Sequence, residues 1–95
     1  MNILTQPMDD CLDEIFAHMD RSKERYGDFA STHEALGVAL EEWTEFIAAI
    51  HSNKLESVRD EAIDLAAVLI RLAVQCRTSD NLKARSIKEV HNDHE

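Results

Sequence analysis

Hydrophobic residues recur along most of the chain at steps of three and four positions, which is the period of an amphipathic α-helix. From about Met8 to Arg25 the apolar positions share one face, and charged side chains occupy the rest. The apolar members of this first segment are Met8, Cys11, Leu12, Ile15, Phe16 and Met19. Pro7 suits the first turn of a helix, and Gly27 is placed to end it. The pattern therefore predicts a one-faced first helix.

Capping and turn residues in the sequence predict two further helices. Ser31 and Glu34 have the spacing of a capping box, which predicts a helix from about Thr32 to His51. A turn over residues 52–54 separates it from a third helix, which runs from about Leu55 or Ser57 to Arg77. The third helix is apolar on nearly every face beyond Ala62, so we expect it to lie centrally and to be buried against a second subunit.

The whole chain is interpreted as one all-α domain over residues 1–95. The sequence has only 2 Gly and 1 Pro, and a weak helical pattern after Thr78 predicts a short C-terminal helix before a frayed tail at about residues 91–95. A lone domain of this size has a marginal core. We therefore expect a helical bundle of three main helices plus the short C-terminal helix, completed by oligomerisation.

The charge balance narrows the classes of partner. With 10 Lys+Arg and 19 Asp+Glu the net charge is −9, which argues against a nucleic acid polymer as ligand. Charges interrupt the third helix, so we expect no membrane span. The start of the chain lacks the pattern of a secretory signal, and two cysteines are too few for a disulfide framework. These features predict a cytoplasmic protein with reduced thiols.

Acidic residues interrupt the apolar pattern of both later helices. Glu41, Glu42 and Glu45 fall on one arc of about 100° of the second helix. Glu61 and Asp64, three residues apart, share one side of the third helix. They belong to a polar stripe on a helix that is otherwise apolar, and its members are Ser57, Glu61, Asp64, Arg71 and Gln75.

Packing of the two helices is expected to bring the acidic groups together. Clustered carboxylates raise one another's pKa, and their desolvation must be offset by a partner. A hard divalent cation such as Mg²⁺, which takes oxygen ligands, is such a partner. Two simpler interpretations stay open: a solvated acidic face, and an ion pair between Asp64 and Arg71.

At these residues the chain resembles the MazG-like branch of the all-α NTP pyrophosphohydrolases. The resemblance rests on E-E-x-x-E at residues 41–45, a gap of fifteen residues, and E-x-x-D at residues 61–64 ahead of an Ala/Val/Leu helix. The segment STHEALGVALEEWTEF, over residues 31–46, resembles short stand-alone members. The similarity covers about Arg25 to Leu72, and it departs from the family at Ile63, where Gly often precedes the Asp.

The resemblance implies a Mg²⁺-dependent enzyme, with Mn²⁺ as a substitute. Such an enzyme cleaves a nucleoside or deoxynucleoside triphosphate between the α and β phosphates and acts in house-cleaning of the nucleotide pool. It also implies a homodimer or homotetramer. By motif position the metal ligands are Glu42, Glu45, Glu61 and Asp64. Glu41 is then a further acidic group, a water-orienting base.

Basic side chains in or next to the acidic helices are candidates for binding the phosphates of the substrate. They are Lys54, Arg59 and Arg71, and His33 is a further candidate for substrate contact. For each of these four residues an ordinary structural role is the competing interpretation.

Two rival functions come from other classes of protein. A non-enzymatic acidic helical dimer, acting as a protein-interaction or regulatory module, predicts no stabilisation by divalent cations. A di-iron or di-manganese carboxylate bundle also uses inward-facing Glu residues. It usually carries Glu-x-x-His motifs, and this sequence has none, since Glu14 and His18 are four residues apart.

Overall fold

A computed structural model of the chain describes residues 5–79 and residue 82. It consists of three α-helices in chain order: α1 is Thr5–Tyr26, α2 is Thr32–Ser52 and α3 is Leu55–Thr78. No strand occurs among the described residues. The all-α prediction and its three main helices are confirmed. The predicted short C-terminal helix and the frayed tail lie outside the described residues.

The end of α1 depends on a glycine. Gly27 adopts a positive φ of 75°, a conformation that side chains with a Cβ rarely take. Its N–H donates to the carbonyl of Lys23 over 2.8 Å, which closes the last turn of the helix. The predicted stop at Gly27 is confirmed, while the start of α1 lies three residues before the expected Met8.

The ends of α2 are fixed by side-chain and backbone caps. The Ser31 hydroxyl accepts a hydrogen bond from the Glu34 N–H at 3.1 Å, and the Glu34 carboxylate accepts one from the Ala30 N–H at 2.9 Å. The predicted capping box is thus confirmed, with the Glu34 side chain reaching one residue further back than in the usual arrangement. At the other end Asn53 takes a left-handed conformation with φ 59°, as the turn required.

The third helix is central, as predicted. Both α1 and α2 pack against α3, whereas no backbone contact joins α1 to α2 in the described part of the chain. The buried apolar side chains are few and mostly small: Ile15, Phe29, Ala35, Ala49, Ala67 and Val68. Ala35 and Ala67 are fully buried, so their lack of bulk lets α2 and α3 approach closely. The result is a small core with an open space between α1 and α2.

Gln75 fixes the loop between α1 and α2 to the central helix. Its side-chain amide donates to the Phe29 carbonyl at 2.6 Å and accepts from the Phe29 N–H at 3.0 Å. Gln75 and Phe29 are both buried, so these bonds satisfy polar groups that water cannot reach. The polar stripe of α3 therefore serves the fold at this position.

None of the three helices combines the length and the apolar character needed to cross a bilayer, as far as the described residues go. Cys11 and Cys76 both carry exposed, free thiols.

Candidate metal centre

Three glutamates from two helices converge at the α2–α3 contact. Glu42 and Glu45 come from α2 and Glu61 from α3, and one carboxylate oxygen of each lies within 4.8 Å of the others. We call this group the glutamate triad. Glu45 lies about one turn beyond Glu42, so both side chains project from the same side of α2. The predicted meeting of two acidic helices is thus present for three of the five carboxylates.

The triad leaves two oxygen atoms without partners. Glu42 Oε2 and Glu61 Oε2 are inaccessible to solvent, and neither accepts a hydrogen bond from a described residue. A buried carboxylate oxygen without a donor costs free energy, which a protein usually recovers through a ligand or a cation. Carboxylate oxygens are the ligands that Mg²⁺ and Mn²⁺ prefer. The donor set therefore fits a hard divalent cation.

The electrostatics of the triad agree with this fit. Burial, with the neighbouring charge of Glu45 as the next contribution, raises the pKa of Glu42 from 4.5 to about 7. Asp64, Glu61 and Glu41 act in the same direction. Burial also raises the pKa of Glu61, and the charges of Asp64 and Glu45 add to that effect. Near neutral pH the triad therefore resists full ionisation unless a positive charge is supplied.

Asp64 lies beside the triad but has another partner. Its Oδ1 is 3.2 Å from Nε2 of His18 on α1, and both side chains are partly buried. The alternative pairing with Arg71 does not occur among the described contacts. The Arg71 guanidinium instead donates to the Gly27 carbonyl at 2.7 Å and stacks over the Phe29 ring at 4.5 Å from its centroid. Arg71 thereby supports the loop after α1.

The other sequence-predicted residues lie at different places. Glu41 is exposed on α2 next to Glu42, and His33 is exposed in the first turn of the same helix. Lys54 is an exposed residue that precedes α3. Arg59 is exposed and pairs with Asp60 at 2.9 Å. Of these four residues, only Glu41 borders the large cleft between α1 and α2.

A cleft of about 790 Å³ separates α1 from α2, and we call it the α1–α2 cleft. Its α2 side includes Glu41 and Glu42, so one member of the triad opens into it. Its α1 side carries the aromatic Tyr26 and three basic residues that were not predicted as site residues from the sequence: His18, Arg21 and Arg25. The spacing of the three basic residues could have identified them, since residues 18, 21 and 25 are three and four positions apart and share one side of α1.

A row of large apolar side chains is exposed along α2, about 120° around the helix from its buried residues Ala35 and Ala49. They are Leu36, Leu40, Trp43, Ile47 and Ile50, each between 40% and 55% exposed. We call this row the apolar stripe. Its alternating steps of four and three are those of a coiled-coil seam. Within this chain the Trp43 ring contacts Phe46, with centroids 5.5 Å apart.

Comparisons of the chain with known protein families, with curated proteins and with solved structures gave no match. The geometry of the residues is therefore the basis for the functional proposal.

Proposed function

We propose that this chain is a MazG-like nucleotide pyrophosphohydrolase. It hydrolyses nucleoside or deoxynucleoside triphosphates to monophosphate and pyrophosphate with Mg²⁺, or with Mn²⁺ in its place. The observation that carries the proposal is the glutamate triad with its two unpartnered oxygens. Three side chains at the family's motif positions meet in space, although they come from two helices.

The proposed ligands of the cation come from both α2 and α3. Glu42, Glu45 and Glu61 hold it, and Asp64 is the fourth ligand by motif position. When bound, Mg²⁺ neutralises triphosphate oxygens and activates water for attack. His18 holds the Asp64 carboxylate beside the triad, where its charge acts on Glu42 and Glu61. The raised pKa of Glu42 means that cation binding near neutral pH displaces a proton from the triad.

Glu41 is the proposed base. Its exposed carboxylate borders the α1–α2 cleft beside Glu42, where it can orient a water molecule and take up its proton. The water attacks the α-phosphorus and the bond to the bridging oxygen breaks, which leaves a monophosphate and pyrophosphate. No covalent intermediate with a protein side chain is required. Arg71 stays a candidate for contact with the substrate, since it also borders this cleft.

The partner proposed for the apolar stripe is a second copy of the chain. A symmetric dimer places the same surface of both subunits in contact, and a seam with coiled-coil spacing is self-complementary. The small core is a reason to expect a dimer, because a domain with so few buried large side chains gains stability when it buries more apolar surface. Dimer or tetramer formation in the cytoplasm, in a nucleotide house-cleaning role, completes the proposal.

The test is product analysis over a panel of ribo- and deoxyribonucleoside triphosphates, with and without Mg²⁺. Monophosphate and pyrophosphate are the expected products, and in ¹⁸O-water the label enters the monophosphate. Glu42→Gln and Asp64→Asn should abolish turnover, while Glu24→Gln, which removes an exposed carboxylate of α1, should not.

Diphosphate and inorganic phosphate as products would refute the proposed bond cleavage. No cleavage of any nucleotide, together with an unchanged melting temperature in Mg²⁺, would refute the enzyme. The exposed apolar stripe then favours the alternative of a non-enzymatic acidic helical dimer acting as an interaction module.

A further inference from the structure

Two arginines of α1 face the α1–α2 cleft together. Arg21 and Arg25 are one turn apart, so their side chains project from the same side of the helix, and both border the cleft. On a helical projection Arg21 lies about 120° and Arg25 about 80° away from Ile15, the buried residue of α1. They therefore flank the packed face of α1 and point across the open space.

Neither arginine forms a close ion pair with a described residue. Within the described part of the chain no carboxylate oxygen lies within 4.0 Å of either guanidinium, although Lys23 and Arg59 both have such partners. Arg25 stacks over the Tyr26 ring at 5.5 Å, a contact that does not engage its N–H donors in hydrogen bonds. The chain has a net charge of −9, so two arginines side by side on one cleft are a local exception to its charge balance.

The cleft joins these arginines to the glutamate triad. Its volume of about 790 Å³ lies in the range of about 300 to 1,000 Å³ that is typical of small-molecule sites. Arg21 and Arg25 border it from α1, and Glu42 borders it from α2. A ligand that spans the cleft meets fixed positive charge at one side and the proposed cation site at the other.

We propose that Arg21 and Arg25 bind the phosphate chain of the nucleoside triphosphate and hold it across the cleft from the triad. This inference rests on the proposed function, and it places phosphate binding on α1, away from Lys54 and Arg59. A guanidinium offers paired N–H donors that match phosphate oxygens, so two of them fix both the charge and the orientation of the chain. Tyr26 and Phe29, on the same cleft, give its apolar surface.

The carboxylates around the cleft restrict the ligand to a short anion. Asp28, Glu34 and Glu41 also border the cleft, so a nucleic acid polymer that leaves it would meet like charge. A triphosphate concentrates its charge over a few ångströms and can lie between the arginines and the bound cation. The binding site therefore selects for a short polyphosphate.

Isothermal titration of the full chain with an α,β-imido deoxynucleoside triphosphate in Mg²⁺ tests the inference. Arg21→Gln and Arg25→Gln should each weaken binding at least about tenfold, the order expected for one charge-assisted hydrogen bond. Pyrophosphate should show the same loss. The matched control is Arg77→Gln, which removes one positive charge at an exposed residue in the last turn of α3, outside the lining of the cleft, and it should change affinity less than twofold.

The affinity for Mn²⁺ without nucleotide, measured by paramagnetic resonance, should be equal in the parent, the two arginine variants and the control variant. Equal affinities would show that the arginines do not act through the metal site. Loss of affinity in the arginine variants, in a chain that cleaves no nucleotide, would support the phosphate site and overturn the proposed hydrolysis. Cleavage with an unchanged KM in both arginine variants would leave the hydrolysis in place and overturn this inference. Equal weakening by Arg77→Gln would also overturn it, since a general charge effect would then explain the data.

Discussion

Replacing Glu42 by Gln should change how the stability of the metal-free protein depends on pH. The folded state raises the pKa of Glu42 from 4.5 to about 7, because the carboxyl group is desolvated and surrounded by other carboxylates. At pH values between 4.5 and about 7 the Glu42 carboxyl group is ionised in the unfolded chain but still protonated in the folded chain. Unfolding then releases a proton, so the free energy of unfolding falls as the pH rises from about 4.5 to 7.

The magnitude follows from the same two values. At 1.36 kcal/mol for each pH unit, the displacement from 4.5 to about 7 corresponds to at most about 3 kcal/mol. Glu42 is only partly buried, and solvent screening reduces this to about 1 to 2 kcal/mol. Gln has nearly the same shape and no charge. The advantage of the variant over the parent should therefore be small near pH 5, grow as the pH rises, and reach about 1 to 2 kcal/mol at pH 8.

Urea unfolding in EDTA at several pH values and one protein concentration measures this difference. Glu24→Gln is the control for loss of an exposed carboxylate, and it should follow the parent at every pH. Mg²⁺ should stabilise the parent at pH 8 and have little effect on Glu42→Gln. The reasoning is refuted if the parent and Glu42→Gln have parallel pH profiles.

Four other substitutions test the fold and the assembly. Gln75→Ala leaves both backbone groups of Phe29 unpaired and should cost about 2 to 4 kcal/mol in urea unfolding; a loss below about 1 kcal/mol would contradict the role of this anchor. Gly27→Ala should lower the free energy of unfolding by about 1 to 2 kcal/mol, because alanine rarely adopts the positive φ of this position. Gly37→Ala should raise it by about 1 kcal/mol, because alanine favours the helix interior and has open space there. Melting temperatures that shift in the same direction in both variants would contradict this reasoning. Ile47→Lys puts a charge into the apolar stripe and should convert the proposed dimer to monomer in sedimentation equilibrium; the same mass for the parent and the variant would exclude the stripe as the interface.

The helices were predictable because their signals are local. The capping box at Ser31 and Glu34 and the left-handed Gly27 each act within a few residues, so the sequence alone places the corresponding helix ends. The central position of α3 followed from apolar residues on nearly every face. The spacing of Glu42 and Glu45 also sufficed to place both on one side of α2.

The contacts between distant helices were not predictable in the same way. The pairing of His18 with Asp64 depends on the crossing and register of α1 on α3, which periodicity does not determine. Arg71 was assigned to substrate or to Asp64, yet the backbone of the loop after α1 takes one of its donors. Arg21 and Arg25 were overlooked because the cleft they border exists only once α1 and α2 lie apart on α3.

Binding of Mn²⁺ to the metal-free protein, followed by the loss of its free paramagnetic signal, tests the central claim most directly. The claim is that the glutamate triad with its unpartnered oxygens is a cation site. The account predicts saturable binding that Mg²⁺ competes away and that the double variant Glu42→Gln, Glu61→Gln loses while it stays folded. Binding of equal affinity in that variant, or no saturable binding by the parent protein, would contradict the account.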